Sequence, residues 1–195
     1  FIVHNVHHSI IRMIEGYHYE VKKGILGKLS DVPLIMVRES KSVETDKSIY
    51  PRNPFQSKGG GFERDFMLEI LNKSSDVNAF AKIDRRHNLK VTYRDETGIL
   101  RNYEIDFIVK TTDKIYLVET KADKDINNPN TAVKAQAAVG WCERASTIAP
   151  PGINQPQDWE YLIISEKIYQ SNKRVSFAGL VPMCQGLRDQ IIAQA

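Results

Sequence analysis

Two adjoining runs decide how this chain folds: Tyr103-Glu104-Ile105-Asp106-Phe107-Ile108-Val109-Lys110 and, after the polar Thr111-Thr112-Asp113, Lys114-Ile115-Tyr116-Leu117-Val118-Glu119-Thr120-Lys121. Both are rich in β-branched and aromatic residues, which pack well on a pleated surface. A connection this short forces the two strands into an antiparallel hairpin. Placing a two-residue loop at Thr112-Asp113 sets Thr111 against Lys114, and Asp106 then lies directly across from Glu119. Side chains opposed in this way are about 4.5–5.5 Å apart at Cβ, where like charges repel. Since successive strand residues alternate faces, Glu119 and Lys121 share a face with Ile115 and Leu117. The runs 107–109 and 115–118 are apolar on both faces, so the hairpin is expected in the middle of a sheet, covered on both sides.

Bare carboxylates buried together cost several kcal/mol each, and something must offset that. A divalent cation does so directly. Oxygen ligands on a rigid hairpin suit Mg²⁺, which takes one or two carboxylates together with waters and substrate phosphates; Mn²⁺ is the natural substitute. Such an ion polarises a phosphate and lowers the pKa of a bound water, which is the chemistry of phosphodiester hydrolysis. On this reading Asp106 and Glu119 are metal ligands, and the Thr120 backbone carbonyl is a further one. Lys121 orients the attacking water or stabilises the transition state as a fixed positive charge.

Working outward, Phe62, Phe66 and Ile70 recur at four-residue spacing with Met67 and Leu71 beside them, which predicts a helix over about 62–73. Glu63 lies on the flank of that stripe, three and four residues from Phe66 and Met67. Read from the residues alone, it is a glutamate favoured in a first turn by the helix dipole. Strands are expected at 77–83, 89–94 and 100–110, ahead of the one over 114–121. An alanine-rich helix over 130–146 follows, with Val133, Ala137 and Trp141 in register, then strands at 159–165 and 175–181 and a helical tail from Gln185. This order predicts an α/β domain over 61–195. Residues 1–60 read as an extension packing on that core or on other parts of a parent chain. They carry a helical pattern at 8–17, a strand at 32–38, a polar stretch at 39–58 and a boundary at Gly59-Gly60-Gly61.

Composition sets limits without choosing a partner. A length of 195 residues suffices for one core plus an extension, and a net charge of +3 permits a polyanionic partner without requiring one. Cys142 and Cys184 are too few for a structural zinc site, and Cys142, within a helical pattern, is expected as a buried thiol. Apolar runs of about five residues cannot span a bilayer and no leader pattern opens the chain, so a cytoplasmic location is expected, with no membrane partner. Because it starts at Phe1, the chain reads as a piece of a longer polypeptide. No G-x-x-x-x-G-K-[ST] loop occurs, so no ATP site is expected. Arg85, Arg86, Lys134 and Gln136 are candidates for contact with DNA phosphates; for each the alternative is a solvated surface charge or amide.

With these residues assembled, Asp106 and Glu119-Thr120-Lys121 resemble the signature of the PD-(D/E)XK nuclease superfamily. The segments Phe62-Glu63-Arg64-Asp65-Phe66, 103–109, Tyr116-Leu117-Val118-Glu119-Thr120-Lys121-Ala122 and 134–143 are most similar to the C-terminal endonuclease domain of type III restriction enzyme Res subunits. The resemblance covers about residues 61–145 and departs at Ile105, where the family name implies proline. It implies a restriction-endonuclease-like core, a mixed β-sheet with a central antiparallel hairpin and helices on both faces. It implies Mg²⁺-dependent cleavage of double-stranded DNA, with Asp106 and Glu119 on the metal and Lys121 catalytic. Glu63 would match the acidic residue often found on the first core helix, which makes it a candidate further metal ligand. It further implies a helicase-like motor in the same parent chain and a methyltransferase (modification) subunit as partner. The competing reading is a catalytically silent nuclease-fold module for DNA binding or subunit assembly.

Overall fold

The computed structural model describes residues 2–13, 16–33, 35–55, 61–95, 97–149 and 152–194, with the backbone alone for residues up to 27 and for Ser30. Gly59 and Gly60 of the expected boundary lie outside the described residues, and Gly61 is left-handed at φ +76°.

The centre of the molecule is a four-stranded mixed sheet. Its strands are β10 (Asp158–Ser165), β9 (Lys114–Lys121), β8 (Phe107–Thr111) and β5 (Val77–Lys82), in that spatial order. β8 and β9 form the expected hairpin, with Phe107 opposite Val118 and Lys110 opposite Ile115, the register that the loop at Thr112-Asp113 dictates. β5 pairs antiparallel to β8, and β10 pairs parallel to β9. The carboxyl ends of β5, β9 and β10 and the amino end of β8 therefore meet at one end of the sheet.

Alternation along the strands divides the core into two layers. Ile108, Ile115, Leu117, Tyr161 and Ile163 face α2 (Pro129–Ala145), which contributes Ala135, Ala138, Trp141 and Cys142. Phe107, Val109, Tyr116, Val118, Leu162 and Ile164 face the other way, against the helix that opens as α1 (Phe62–Asp65) and widens into a π-helical stretch over Phe66–Leu71. On that same side lie α3 (Glu166–Ser171) and the first half of α4 (Phe177–Ile192), through Tyr169, Phe177, Leu180 and Cys184. Helices thus flank the mixed sheet on both faces. Both cysteines are free and buried.

Before the sheet come a long antiparallel hairpin, β1 (Ile2–Met13) and β2 (Gly16–Gly27), and a short pair, β3 (Ser42–Val43) and β4 (Asn53–Pro54). A further hairpin, β6 (Val91–Arg94) and β7 (Leu100–Tyr103), is inserted between β5 and β8. Val91 and Tyr103 of this hairpin join the α2 layer of the core. Segment 47–50 docks on β5: the Phe80 amide donates to the Lys47 carbonyl at 3.0 Å, and the Ile49 amide donates to the Phe80 carbonyl at 3.0 Å. Tyr50 Oη donates to the Leu29 carbonyl at 2.8 Å and lies 2.7 Å from His87 Nε2.

Four expectations are corrected. Residues 8–17 are not helical: the described part belongs to β1 and β2, with Ile11 opposite His18 and Arg12 opposite Tyr17. Tyr17, Tyr19 and Val21 in the second arm prefer extended backbone, and that preference outweighs the helical spacing. Residues 32–38 form no strand among the described positions; Pro33 has no amide to donate, and Ile35 and Met36 are exposed. Residues 175–181 are mostly helical, because Ser176 caps α4 by accepting from the Gly179 amide at 3.2 Å, and this helix already contains the expected tail from Gln185. Finally, 100–110 is not one strand. The chain leaves β7 at Tyr103, turns through Glu104-Ile105-Asp106, and enters the main sheet at Phe107.

Candidate active site

That turn puts Asp106 one residue outside the β8–β9 ladder, at the end of the sheet where three carboxyl termini converge. Its backbone carbonyl accepts from the Ile83 amide at 2.8 Å, which ties it to the end of β5. Its carboxylate Oδ2 accepts from the Thr120 amide at 2.8 Å and the Thr120 hydroxyl at 2.6 Å. Asp106 is therefore pinned to β9 at the residue between Glu119 and Lys121.

Glu119 follows Ile115 and Leu117 on the α2 face, and its side chain is 12% exposed. Oε1 accepts from Lys121 Nζ at 3.1 Å; Oε2 is buried with no hydrogen-bond partner. Burial, reinforced by the negative charge of Asp106 and opposed by Lys121, pushes the Glu119 carboxyl up to about 8. A carboxyl held in this way keeps its proton at pH 7 unless a cation replaces it.

Around this pair lie residues of both kinds, foreseen and missed. Glu63, in the first turn of α1, reaches the same end of the sheet, where Lys82 Nζ lies 3.0 Å from its Oε2. That oxygen makes no aligned hydrogen bond. Lys82, the last residue of β5, also lies 3.8 Å from Asp106 Oδ1 and stands over the Phe107 ring at 4.7 Å. No sequence pattern singled it out. Its place follows from the β5–β8 pairing, which sets Lys82 against Phe107, next to Asp106.

Lys134 arrives from the second turn of α2. Its ammonium lies 5.4 Å from the Tyr93 ring centroid and 5.5 Å from that of Tyr103, and the Tyr103 hydroxyl donates to its backbone carbonyl at 3.0 Å. Burial and the neighbouring Lys121 charge lower its ammonium, while Glu119 opposes that shift. Beneath Glu119, Tyr103 and Tyr161 are buried, and desolvation raises both phenols well above their usual range.

The other candidates are not gathered in. Gln136 is exposed, and two residues along a helix from Lys134 it points elsewhere. Arg85 is exposed just beyond the end of β5. Arg86 is held by Asp84 in a fork, with contacts of 2.9 and 2.5 Å to Oδ2, and donates to the Pro33 carbonyl at 3.2 Å. The cluster of Arg85, Arg86 and His87 is largely structural. The side chain of Asp84 accepts from the Arg86 amide, and the His87 ring is buried beneath Tyr50.

The assembled end of the sheet offers carboxylate oxygens of Glu63, Asp106 and Glu119 beside the ammonium groups of Lys82, Lys121 and Lys134. Among the described residues no group of three or more His, Cys, Asp or Glu side chains is arranged to hold a metal ion by itself. A cation here would rest on two carboxylates, completed by backbone and solvent oxygens. No helix of the described residues is long and apolar enough to cross a membrane. No protein-family model, curated protein or solved structure matches this chain.

Proposed function

We propose that this chain is a metal-dependent nuclease domain that hydrolyses DNA phosphodiester bonds at the Asp106, Glu119 and Lys121 end of its sheet. The observation that carries the reading is Glu119 Oε2, a carboxylate oxygen buried without a partner beside Asp106, with an ammonium 3.1 Å from its twin oxygen. An unpartnered buried acceptor needs a reason. A hard divalent cation supplies one, and the all-oxygen donor set fits Mg²⁺.

Asp106 and Glu119 would hold the ion, with the Thr120 carbonyl as a further oxygen. When bound, the ion polarises the scissile phosphate and acidifies a water. The remaining work falls to the protein. Thr120 fixes Asp106 through two donors, so that carboxylate cannot rotate away. Lys121 stabilises the negative charge that develops on the phosphoryl oxygens. Lys134, braced by two tyrosine rings, adds a second positive charge for the flanking phosphate.

The order helix, strand, strand, strand, helix, strand, with the third and fourth strands parallel, supports reading the core as restriction-endonuclease-like. The similarity of residues 61–145 to Res-subunit nuclease domains extends the proposal to a restriction system. There a motor elsewhere in the parent chain and a modification subunit would supply translocation and sequence choice. The test is plasmid cleavage with Mg²⁺, with Mn²⁺ and with chelator, beside Glu119→Ala and Lys121→Ala. Cleavage that requires the metal and is lost in both variants is expected. Cleavage unchanged in both would remove this site from consideration. A variant pair that binds DNA as wild type while neither it nor wild type cuts would favour the silent module.

A further inference from the structure

We infer that the Lys82 ammonium fills the place between Glu63 and Asp106 where a second divalent cation would sit, so that the centre takes one metal ion, on Asp106 and Glu119; this rests on the nuclease reading above. Three acidic side chains meet at this end of the sheet, enough in number for two ions, but they are not equivalent. Glu119 Oε2 and Glu63 Oε2 are both buried without a hydrogen bond, but only Glu63 Oε2 has an ammonium against it, at 3.0 Å. The same ammonium lies 3.8 Å from Asp106 Oδ1, the oxygen that Thr120 does not occupy. It is also seated on the Phe107 face at 4.7 Å, with its side chain 12% exposed. A cation between two carboxylates and over an aromatic face is held from three sides, and burial strengthens each attraction.

Charge balance points the same way. Once a cation has displaced the Glu119 proton, the carboxylates of Glu63, Asp106 and Glu119 are matched by the ammoniums of Lys82, Lys121 and Lys134. One divalent ion leaves an excess that the phosphodiesters of a DNA strand can neutralise. A second would double that excess with no further carboxylate to receive it. Glu63 is then a positioning residue that holds Lys82, and Lys82 is the built-in counter-ion of Asp106.

Mn²⁺ titration of the whole chain, read by the electron paramagnetic resonance signal of the free ion and by calorimetry, tests this without reference to cleavage. Wild type is expected to bind one ion. Lys82→Met keeps an apolar stem over Phe107 and is expected to bind two, and adding Glu63→Gln to it should return the count to one. Glu63→Gln alone should leave one ion with affinity within about threefold of wild type. Two ions on wild type, one of them lost in Glu63→Gln, would overturn the inference, as would a Lys82→Met variant that stays at one. Should Lys82→Met lose its circular dichroism signature, Glu63→Gln alone decides: a weakening of about tenfold or more makes Glu63 a ligand and overturns the inference. A wild type that binds no ion fails differently, because it removes the metal-centred reading itself.

Discussion

At the scale of single residues, Glu119 joins two properties that can be measured separately. Its carboxyl is raised from 4.5 to about 8. The folded state therefore binds its proton more tightly than the unfolded chain does. The stability from that preference is complete below pH 4.5 and is lost as pH rises towards 8, amounting to about 3 kcal/mol by pH 7. Glu119→Gln replaces the protonated acid with a neutral isostere. The expected outcome is a melting temperature at pH 8 above that of metal-free wild type, with Mg²⁺ binding and cleavage both lost. Calorimetry at several pH values checks this. Lys121→Met should instead retain the metal and slow cleavage by roughly 10²- to 10³-fold, as expected when one transition-state donor is removed. Single-turnover rates at saturating Mg²⁺ are the measurement. The shared face of Glu119 and Lys121 could be read from the sequence because a two-residue loop fixes the register of β9; the reach of Asp106 to Thr120 could not, because the ladder stops at Phe107. Lys82 could not, since its position depends on a pairing across an inserted hairpin, and nothing local specifies which strand a distant strand will join.

The elements show where local pattern prevails and where packing overrides it. β9 and α2 fall at their expected limits to within a residue or so, because both are long, strongly patterned and bounded by turn or cap signals at Asp113 and Asn128. Residues 175–181 alternate weakly, and one serine hydroxyl at the right place outweighs two valines. The break at Glu104-Ile105-Asp106 was illegible for a different reason. The run is apolar enough to be one strand, and only the insertion of β6 and β7 against α2 obliges the chain to change sheets there. That break is also what frees Asp106 from the ladder to reach Thr120. The hairpin that carries the site should be stiff, since Leu117 at its centre is 0% exposed. Leu117→Ala is expected to lower unfolding free energy by about 2–5 kcal/mol in urea titrations, with the slope unchanged.

Across the whole molecule, the segment before the core is fastened to it through His87. The ring is 2% exposed, and burial lowers its ordinary value of 6.5. A group depressed on folding gives stability that is whole above pH 6.5 and is lost as pH falls below it. Glu119 drives the opposite trend over the same range, so the two are best separated in Glu119→Gln. That variant should lose melting temperature between pH 7 and pH 5, and Tyr50→Phe within it should loosen residues 28–55, read as faster amide exchange there. The contact of segment 47–50 with β5 carries a consequence of another kind. β5 is the last strand on its side of the sheet, and Phe80 gives its amide and carbonyl to Lys47 and Ile49. A version cut back to start at Gly61 would bare that row of hydrogen-bonding groups, ready to template pairing between molecules. Such a core should self-associate in sedimentation experiments where the longer chain does not, so the stretch at residues 47–50 would be what keeps one copy from zipping onto the next.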